Sequence, residues 1–242
     1  MSIDINCDMG ESFGLYKMGN DEALIQYITE ANIACGYHGS DPNHMRSTVE
    51  LAKRHDVKIG AHFSLPDLQG FGRREMKIDR EEVANFIIYQ IGALKGFLDV
   101  AGVPLRHLKP HGALYGMAAR QEHIAEAVAD AAKHFRVPVF GLAGTLHETV
   151  YTARGLEFRP EFFADLDYDR AGNLLITREH PEVPPELAVE RCLSVIRDGK
   201  VRCNDGSDIP ITASTICIHS DTPNSVAVAE AIYAALLPYM DR

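Results

Sequence analysis

The sequence predicts an α/β protein built on a parallel sheet, and three observations carry that reading. Short apolar, strand-like runs alternate with stretches of helical periodicity from one end of the chain to the other. Seven such units fit into 242 residues without a linker, a sequence repeat or a low-complexity tract, so one domain spanning residues 1–242 is expected. The polar residues with chemistry to offer recur where the strand-like runs end. Seven βα units suit a closed or nearly closed barrel; an open doubly wound sheet is the competing arrangement, since strand order cannot be read from one sequence.

The elements follow in order. Strands are expected at Ile3–Cys7, Asn32–Cys35, Val57–Ala61, Leu105–Lys109, Pro138–Leu142, Leu156–Ala164 and Thr215–His219. Asp41-Pro42 and Thr222-Pro223 each open a helix, with proline at the first helical position. Asp79 and Glu82 form a capping-box pattern ahead of Val83, Phe86, Ile87, Ile91 and Leu94, which share one helical face; Gly102 and Pro104 stop that helix. The segment Asp167–Asp208 is less regular, with Pro181, Pro184 and Pro185. A hairpin or excursion with a turn at Cys203–Ser207 is expected there, beside a helix over Glu186–Arg197.

Composition removes several classes of function. With 24 basic and 34 acidic residues the net charge is -10, which disfavours nucleic acid and anionic membrane as partners. The first residues lack the apolar core of a signal peptide, and no stretch is read as long and apolar enough to span a bilayer. Five scattered cysteines without a Cys-x-x-Cys pair read as reduced thiols and a cytoplasmic location, with Cys7 a small buried thiol. There is no Gly-x-Ser-x-Gly elbow, no His-Glu-x-x-His, and the Gly141–Thr145 turn lacks the Gly-Lys-Ser/Thr ending of a nucleotide loop.

What remains is positional. Asp8 follows the first strand, His38 the second, His62 ends the third, Lys109 and His111 follow the fourth, Asp165 the sixth, and His219 and Asp221 the seventh. In parallel α/β folds all strand C-termini open on one face, so these residues are expected to converge at one mouth although each alone could be a satisfied core or capping group. Asp8, His38, His62 and His111 are candidate ligands for a divalent metal. Glycines in Asp8–Glu11, Cys35–Gly39 and Lys109–Gly112 permit close backbone approach to a ligand. Helix N-termini near Asp41 and Thr222 offer N–H groups to an anion, unless Asp41 and Asp221 merely cap them. Arg73, on the glycine-flanked loop Gly70–Glu75, can pair with a carboxylate, as can its neighbour Arg74.

Six strings together resemble the LamB/YcsF family, which supplies the A subunits of 5-oxoprolinases. They are Asn6-Cys7-Asp8-Met9-Gly10-Glu11-Ser12-Phe13-Gly14, Ala31–His38, Gly60-Ala61-His62, Gly70–Arg74, Lys109-Pro110-His111-Gly112-Ala113-Leu114-Tyr115 and Asp221-Thr222-Pro223, in the family's order over nearly the whole chain. The resemblance implies a deformed seven-stranded parallel (β/α) barrel of glycoside hydrolase/deacetylase type. It also implies one component of an ATP-dependent 5-oxoprolinase that opens 5-oxoproline or a related small lactam, with ATP as co-substrate and separate B and C subunits as partners; a homo-oligomer is left open. The chain departs from the family pattern at Phe63, Leu65 and Leu166, and reads Ser220 where a glycine is common, changes that bear on substrate more than on fold.

For such a reaction Asp8 or His62 is assigned as base, Lys109 as electrostatic stabiliser and His111 as acid or substrate ligand. His38, Arg73, Asp165 and His219 are assigned to orienting these groups and binding substrate. Lys109→Met and His111→Asn are expected to spare the melting temperature. The rival functions are a metal-dependent deacetylase or amidohydrolase acting alone and a non-catalytic binding subunit.

Overall fold

The computed structural model describes residues 2–175 and 181–240. In chain order it contains β1 (Asp4–Met9), α1 (Asp21–Leu24), β2 (Glu30–Ala34), α2 (Pro42–Arg54), β3 (Lys58–Phe63), α3 (Arg80–Ala101), β4 (Leu105–Pro110), α4 (Gly112–Arg120), α5 (Glu122–Ala132), β5 (Val139–Gly141) and α6 (Leu146–Ala153). β6 (Phe158–Phe163), α7 (Pro185–Asp198), β7 (Lys200–Arg202), β8 (Asp208–Pro210), β9 (Thr215–His219) and α8 (Ser225–Leu236) complete it.

Seven parallel strands close in the order β1-β2-β3-β4-β5-β6-β9, with β9 returning to β1. Closure decides between the two arrangements left open by periodicity. The barrel is irregular at two seams: β5 has three residues and meets β4 through the single pair Leu108↔Val139, and the β3–β4 register shifts at Ile59/Gly60. β7 and β8 form the expected antiparallel hairpin, closed by Cys203 N donating to Ser207 O. Residues 176–180 of the irregular Asp167–Asp208 segment lie outside the described residues.

Local chemistry explains most boundaries. Asp41 caps α2, its Oδ1 accepting from Asn43 N at 2.8 Å and His44 N at 3.1 Å. Its Oδ2 accepts from Gly14 N at 2.8 Å, so this carboxylate takes the anion position at the helix start. Gly102, with φ of 68°, ends α3 in the left-handed conformation that glycine adopts without cost. The helix start expected at Asp79 holds, and that at Thr222 does not. Asp79 precedes α3 but its side chain makes no cap hydrogen bond. Thr222-Pro223 forms a turn ahead of α8, with Ser225 N donating to Thr222 O, and Asn224 occupies the N-cap.

One expectation about membranes is corrected. α3 spans 22 residues and is long and apolar enough, by length and composition, to cross a bilayer. In the fold its Val83, Ile87, Ile91, Leu94 and Leu98 are buried against the barrel and α5, the place of a layer helix.

The barrel strands are buried on both faces, but the period of two sorts them chemically. Outward-facing Ile5, Ile33, Ala61, Leu108, Phe162 and Ile216 pack beneath the helices, while Asn6, Asp8, Asn32, His62, His107, Lys109, Glu161 and Thr215 are buried in the interior. The register shift near Gly60 lets the His107 ring lie across the interior: a Cβ added at Gly60 would stand 2.1 Å from its Cδ2 and Nε2. Gly60→Ala therefore overpacks the barrel, and we expect a loss of ~1–3 kcal/mol, seen as a fall in Tm of ~2–4 °C per kcal/mol. Thermal unfolding followed by circular dichroism checks this; an unchanged Tm would mean that the interior relaxes around a methyl group.

Candidate active site

Strand direction places Asp8, His62, Lys109 and His219 at the C-terminal ends of β1, β3, β4 and β9, and the following loops add His38, Arg73, His111 and Asp165. Asp8, His62, Arg73, Lys109, His111 and His219 line one small cavity, rimmed by Tyr115, Phe163, Leu166 and Leu174. Its volume of about 30 Å³ has room for on the order of one or two water molecules. The sequence-predicted residues thus meet at one mouth, with His38 and Asp165 standing behind the cavity wall.

Lys109 is the centre of the floor. It is 1% exposed, and its Nζ donates to Asp8 Oδ1 at 2.9 Å, Asn6 Oδ1 at 3.2 Å and Cys217 Sγ at 3.0 Å. Glu161 Oε1 also lies 2.9 Å away, as an ion-pair contact without hydrogen-bond alignment. Burial works against the ammonium charge, but Asp8, Cys217 and Glu161 outweigh it and raise the Lys109 pKa well above the usual lysine range. Burial likewise opposes the Asp8 carboxylate, yet His62 and Lys109 hold it well below the usual range. Asn32 Nδ2 adds a hydrogen bond to Asp8 Oδ1 at 2.8 Å.

Two imidazoles have their tautomers set by backbone carbonyls, which only accept. His62 Nδ1 lies 3.0 Å from Lys109 O, so Nδ1 carries the proton and Nε2 faces inward. His111 Nε2 lies 2.8 Å from Phe71 O, so its Nδ1 faces inward. Phe71 has φ of 54°, a strained conformation for a non-glycine residue, and it turns this carbonyl toward His111. His38 stacks on His111 with ring centroids 3.6 Å apart and meets Glu11 Oε1 through Nε2 at 3.0 Å. Burial, then neighbouring His62, push the His38 pKa well below the histidine range; burial, then His38 and His62, do the same to His111. Burial, with Asp8 and Asp221 nearby, raises the Glu11 carboxyl well above the usual carboxylate range.

His219 behaves oppositely. Asp165 accepts from its backbone N at 2.7 Å and pairs with its Nδ1 at 2.9 Å. Burial disfavours the imidazolium, but Asp165 outweighs it and the pKa rises. Nε2 is thereby turned to the cavity, 3.7 Å from Asp8 Oδ2. Arg73 pairs with Asp221 at 2.8 Å, with its guanidinium 4.9 Å from the Phe71 ring centroid, whereas Arg74 is held by Asp67 outside the cavity.

Several contributors are not singled out by the sequence: Asn6, Glu11, Asn32, His107, Glu161 and Cys217. The available signal is spacing. Asn6/Asp8, His107/Lys109 and Cys217/His219 are pairs two apart on strands, the period that puts both on one side of a sheet. Glu11 has no such signal, being delivered by the loop after β1.

These features define a class: a closed seven-stranded (β/α) barrel with a buried acid–base centre at the C-terminal mouth of its strands. Its membership is more specific. Residues 3–238 match the LamB/YcsF family, and the chain belongs to that family. It is 45% identical over 239 residues to the 5-oxoprolinase A subunit of Bordetella pertussis, covering 97% of this chain and 95% of that one. To the 5-oxoprolinase A subunit of Pyrococcus furiosus it is 44% identical over 234 residues, covering 94% and 91%. A crystal structure of a lactam utilization protein from Thermus thermophilus superposes with a TM-score of 0.90 at 42% identity, covering 98% of this chain and 96% of that one.

The electrostatics of the site set two expectations. A folded-state pKa of His219 above its unfolded value contributes stability that is complete below the unfolded pKa and is lost as pH rises through the folded one. Asp165→Asn should therefore lower the His219 titration midpoint in imidazole NMR and flatten the decline of Tm as pH rises above about 6.5, the ordinary histidine value; a midpoint that stays put would refute the pairing as its cause. Lys109→Met strands Asp8 and Glu161 in the interior, which reverses the expectation of an unaffected melting temperature. The cost is ~3–5 kcal/mol, a Tm loss on the order of 10 °C readable by calorimetry.

Proposed function

We propose that this chain is the A component of an ATP-dependent 5-oxoprolinase, a hydrolase that opens the ring of 5-oxoproline or a closely related small lactam. The observation that carries the reading is one small cavity facing both cationic and basic groups, in a chain 45% identical to a relative named as the A subunit of 5-oxoprolinase. A relative named as one subunit of an enzyme supports companion subunits here, of the B and C type, to which we assign the handling of ATP. Five free, buried cysteines support a cytosolic setting.

A lactam resists hydrolysis because its carbonyl is resonance-stabilised and its nitrogen is a poor leaving group. Transfer of a phosphoryl group to the lactam oxygen makes the ring carbon electrophilic. In our reading the Asp8/His62 side of the cavity holds the attacking water, and Lys109 with Arg73 faces the negative charge that develops. Water adds to that carbon and gives a proton to the Asp8/His62 side, the C–N bond breaks and the nitrogen takes a proton; the acyl phosphate left behind is hydrolysed by a second water to the carboxylate and inorganic phosphate. We assign the proton taken by nitrogen to His219, whose pKa Asp165 raises, rather than to His111, whose N–H is spent on Phe71 O. A lactam ring exceeds the present cavity, so binding requires Leu166 and Leu174 at the rim to move outward.

The test is turnover of 5-oxoproline with ATP, by the chain alone and with B- and C-type subunits, followed as glutamate and ADP. We expect little turnover by the chain alone and robust turnover by the assembly. His219→Gln and His111→Asn should each reduce it ~100-fold or more, the scale of losing one group that acts in the transition state. Robust ATP-dependent turnover by the isolated chain, or near-normal turnover by folded His219→Gln in the assembly, would overturn the reading.

A further inference from the structure

His62 Nε2 and His111 Nδ1 stand 2.9 Å apart, and each is the nitrogen left without a proton by a backbone carbonyl on the far side of its ring. Two neutral imidazoles in these tautomers point lone pair at lone pair. Carboxylates add to the same crowding: Asp8 Oδ2 lies 3.1 Å from His62 Nε2, and Glu11 Oε1 lies 3.6 Å from His111 Nδ1. All four residues are no more than 4% exposed, so water does not relieve the repulsion. Three acceptor atoms crowded in a buried place, His62 Nε2, His111 Nδ1 and Asp8 Oδ2, require a positive charge among them, and Glu11 Oε1 stands beside them.

We propose that Glu11, His38, His62 and His111, whose donor atoms all lie within 4.8 Å of one another, bind one divalent transition-metal cation of the zinc class, with the Asp8 carboxylate beside them. Ligands held about 2.1 Å from a cation stand roughly 3.0–3.4 Å apart at octahedral or tetrahedral angles; the separations of 2.9 Å for His62–His111, 3.0 Å for His38–Glu11 and 3.6 Å for His111–Glu11 bracket that range. The outer shell has the form that metal-binding histidines use, with the remote N–H of His62 and of His111 each given to a carbonyl, here Lys109 O and Phe71 O. His38 Nε2 stands 3.0 Å from Glu11 Oε1 and its ring stacks on His111, which keeps it within the cluster. Imidazoles with a carboxylate oxygen suit zinc or cobalt better than calcium or magnesium, which favour all-oxygen shells. The cation would border the cavity, where it lowers the pKa of a bound water toward neutrality.

The competing source of positive charge is a proton shared by His62 and His111, which binds no metal. The site does not depend on lactam chemistry, and its test uses neither lactam, ATP nor partner subunits. Full-length chain stripped with chelator is titrated with Zn²⁺ by calorimetry and with Co²⁺ by visible absorption. One equivalent should bind, and His111→Gln and Glu11→Gln should weaken it at least ~10-fold while exposed His134→Gln leaves it unchanged. Because a buried variant can fail to fold, the unmutated chain is also followed by ¹⁵N imidazole NMR, where Zn²⁺ should shift His62 Nε2 and His111 Nδ1 and spare their remote nitrogens. Absence of binding from micromolar to millimolar metal, or binding that these nitrogens do not sense, overturns the proposal.

Discussion

The ammonium of Lys109 is the constraint around which the barrel interior is organised. A charge taken this far from water is tolerated only if its surroundings replace hydration completely. Asp8, Asn6, Cys217 and Glu161 do so from three strands, β1, β9 and β6. None of those partners could be replaced by an apolar residue without exposing another group to the same penalty, because each is itself buried. The demand for a closed barrel and the demand for a satisfied lysine are therefore one demand: only closure of β9 on β1 brings Cys217 and Asp8 to the same nitrogen.

From that point hydrogen bonds run down the barrel axis. Asn32 links Asp8 and Asn6, His107 reaches Asn32 Oδ1 at 2.7 Å, and Asn6 donates to Thr215 Oγ1 at 2.9 Å. Thr215 in turn donates to Glu30 Oε2 at 3.2 Å, and Arg159 pairs Glu30 with Asp4 at the opposite end. The interior is thus a polar spine inside an apolar sleeve. Networks of this kind specify geometry strongly, because a half-satisfied member is costlier than an apolar one. Rigidity at the floor lets two tautomers be set by two carbonyls and the pKa of a third imidazole be raised by Asp165, all around one cavity.

The architecture is legible because periodicity and strand-end polarity survive in a single sequence. Seven runs of apolar residues mark seven strands, and residues such as Asp8, His62 and His219 stand where their strands must open. Closure is not legible, since the pairing of β9 with β1 joins segments whose hydrogen-bonded side chains, Asn6 and Thr215, are 209 residues apart. Nor is the pairing of Arg73 with Asp221 across 148 residues, which gives a substrate-binding candidate a protein partner. The capping box at Asp79 and the helix start at Thr222 mislead for a local reason: capping residues advertise a turn, but which N–H they reach depends on the path of the chain before them. Asp8 and His62 can be named singly, whereas the opposition of His62 to His111 depends on Lys109 O and Phe71 O, and backbone carbonyls leave no signature in composition.

Gly60 shows where such a molecule is free to change. The His107 ring occupies the space that any side chain at residue 60 would need, and His107 is tied through Asn32 to Asp8. Altering either position alone disturbs the whole spine, so the floor can be revised only by several coordinated replacements. Leu166, Leu174 and Phe163 border the same cavity, and none of their side chains carries a hydrogen-bonding group that the spine needs. Adaptation by single steps is therefore confined to the rim, where a new ligand shape can be accommodated while the chemistry beneath it is inherited intact.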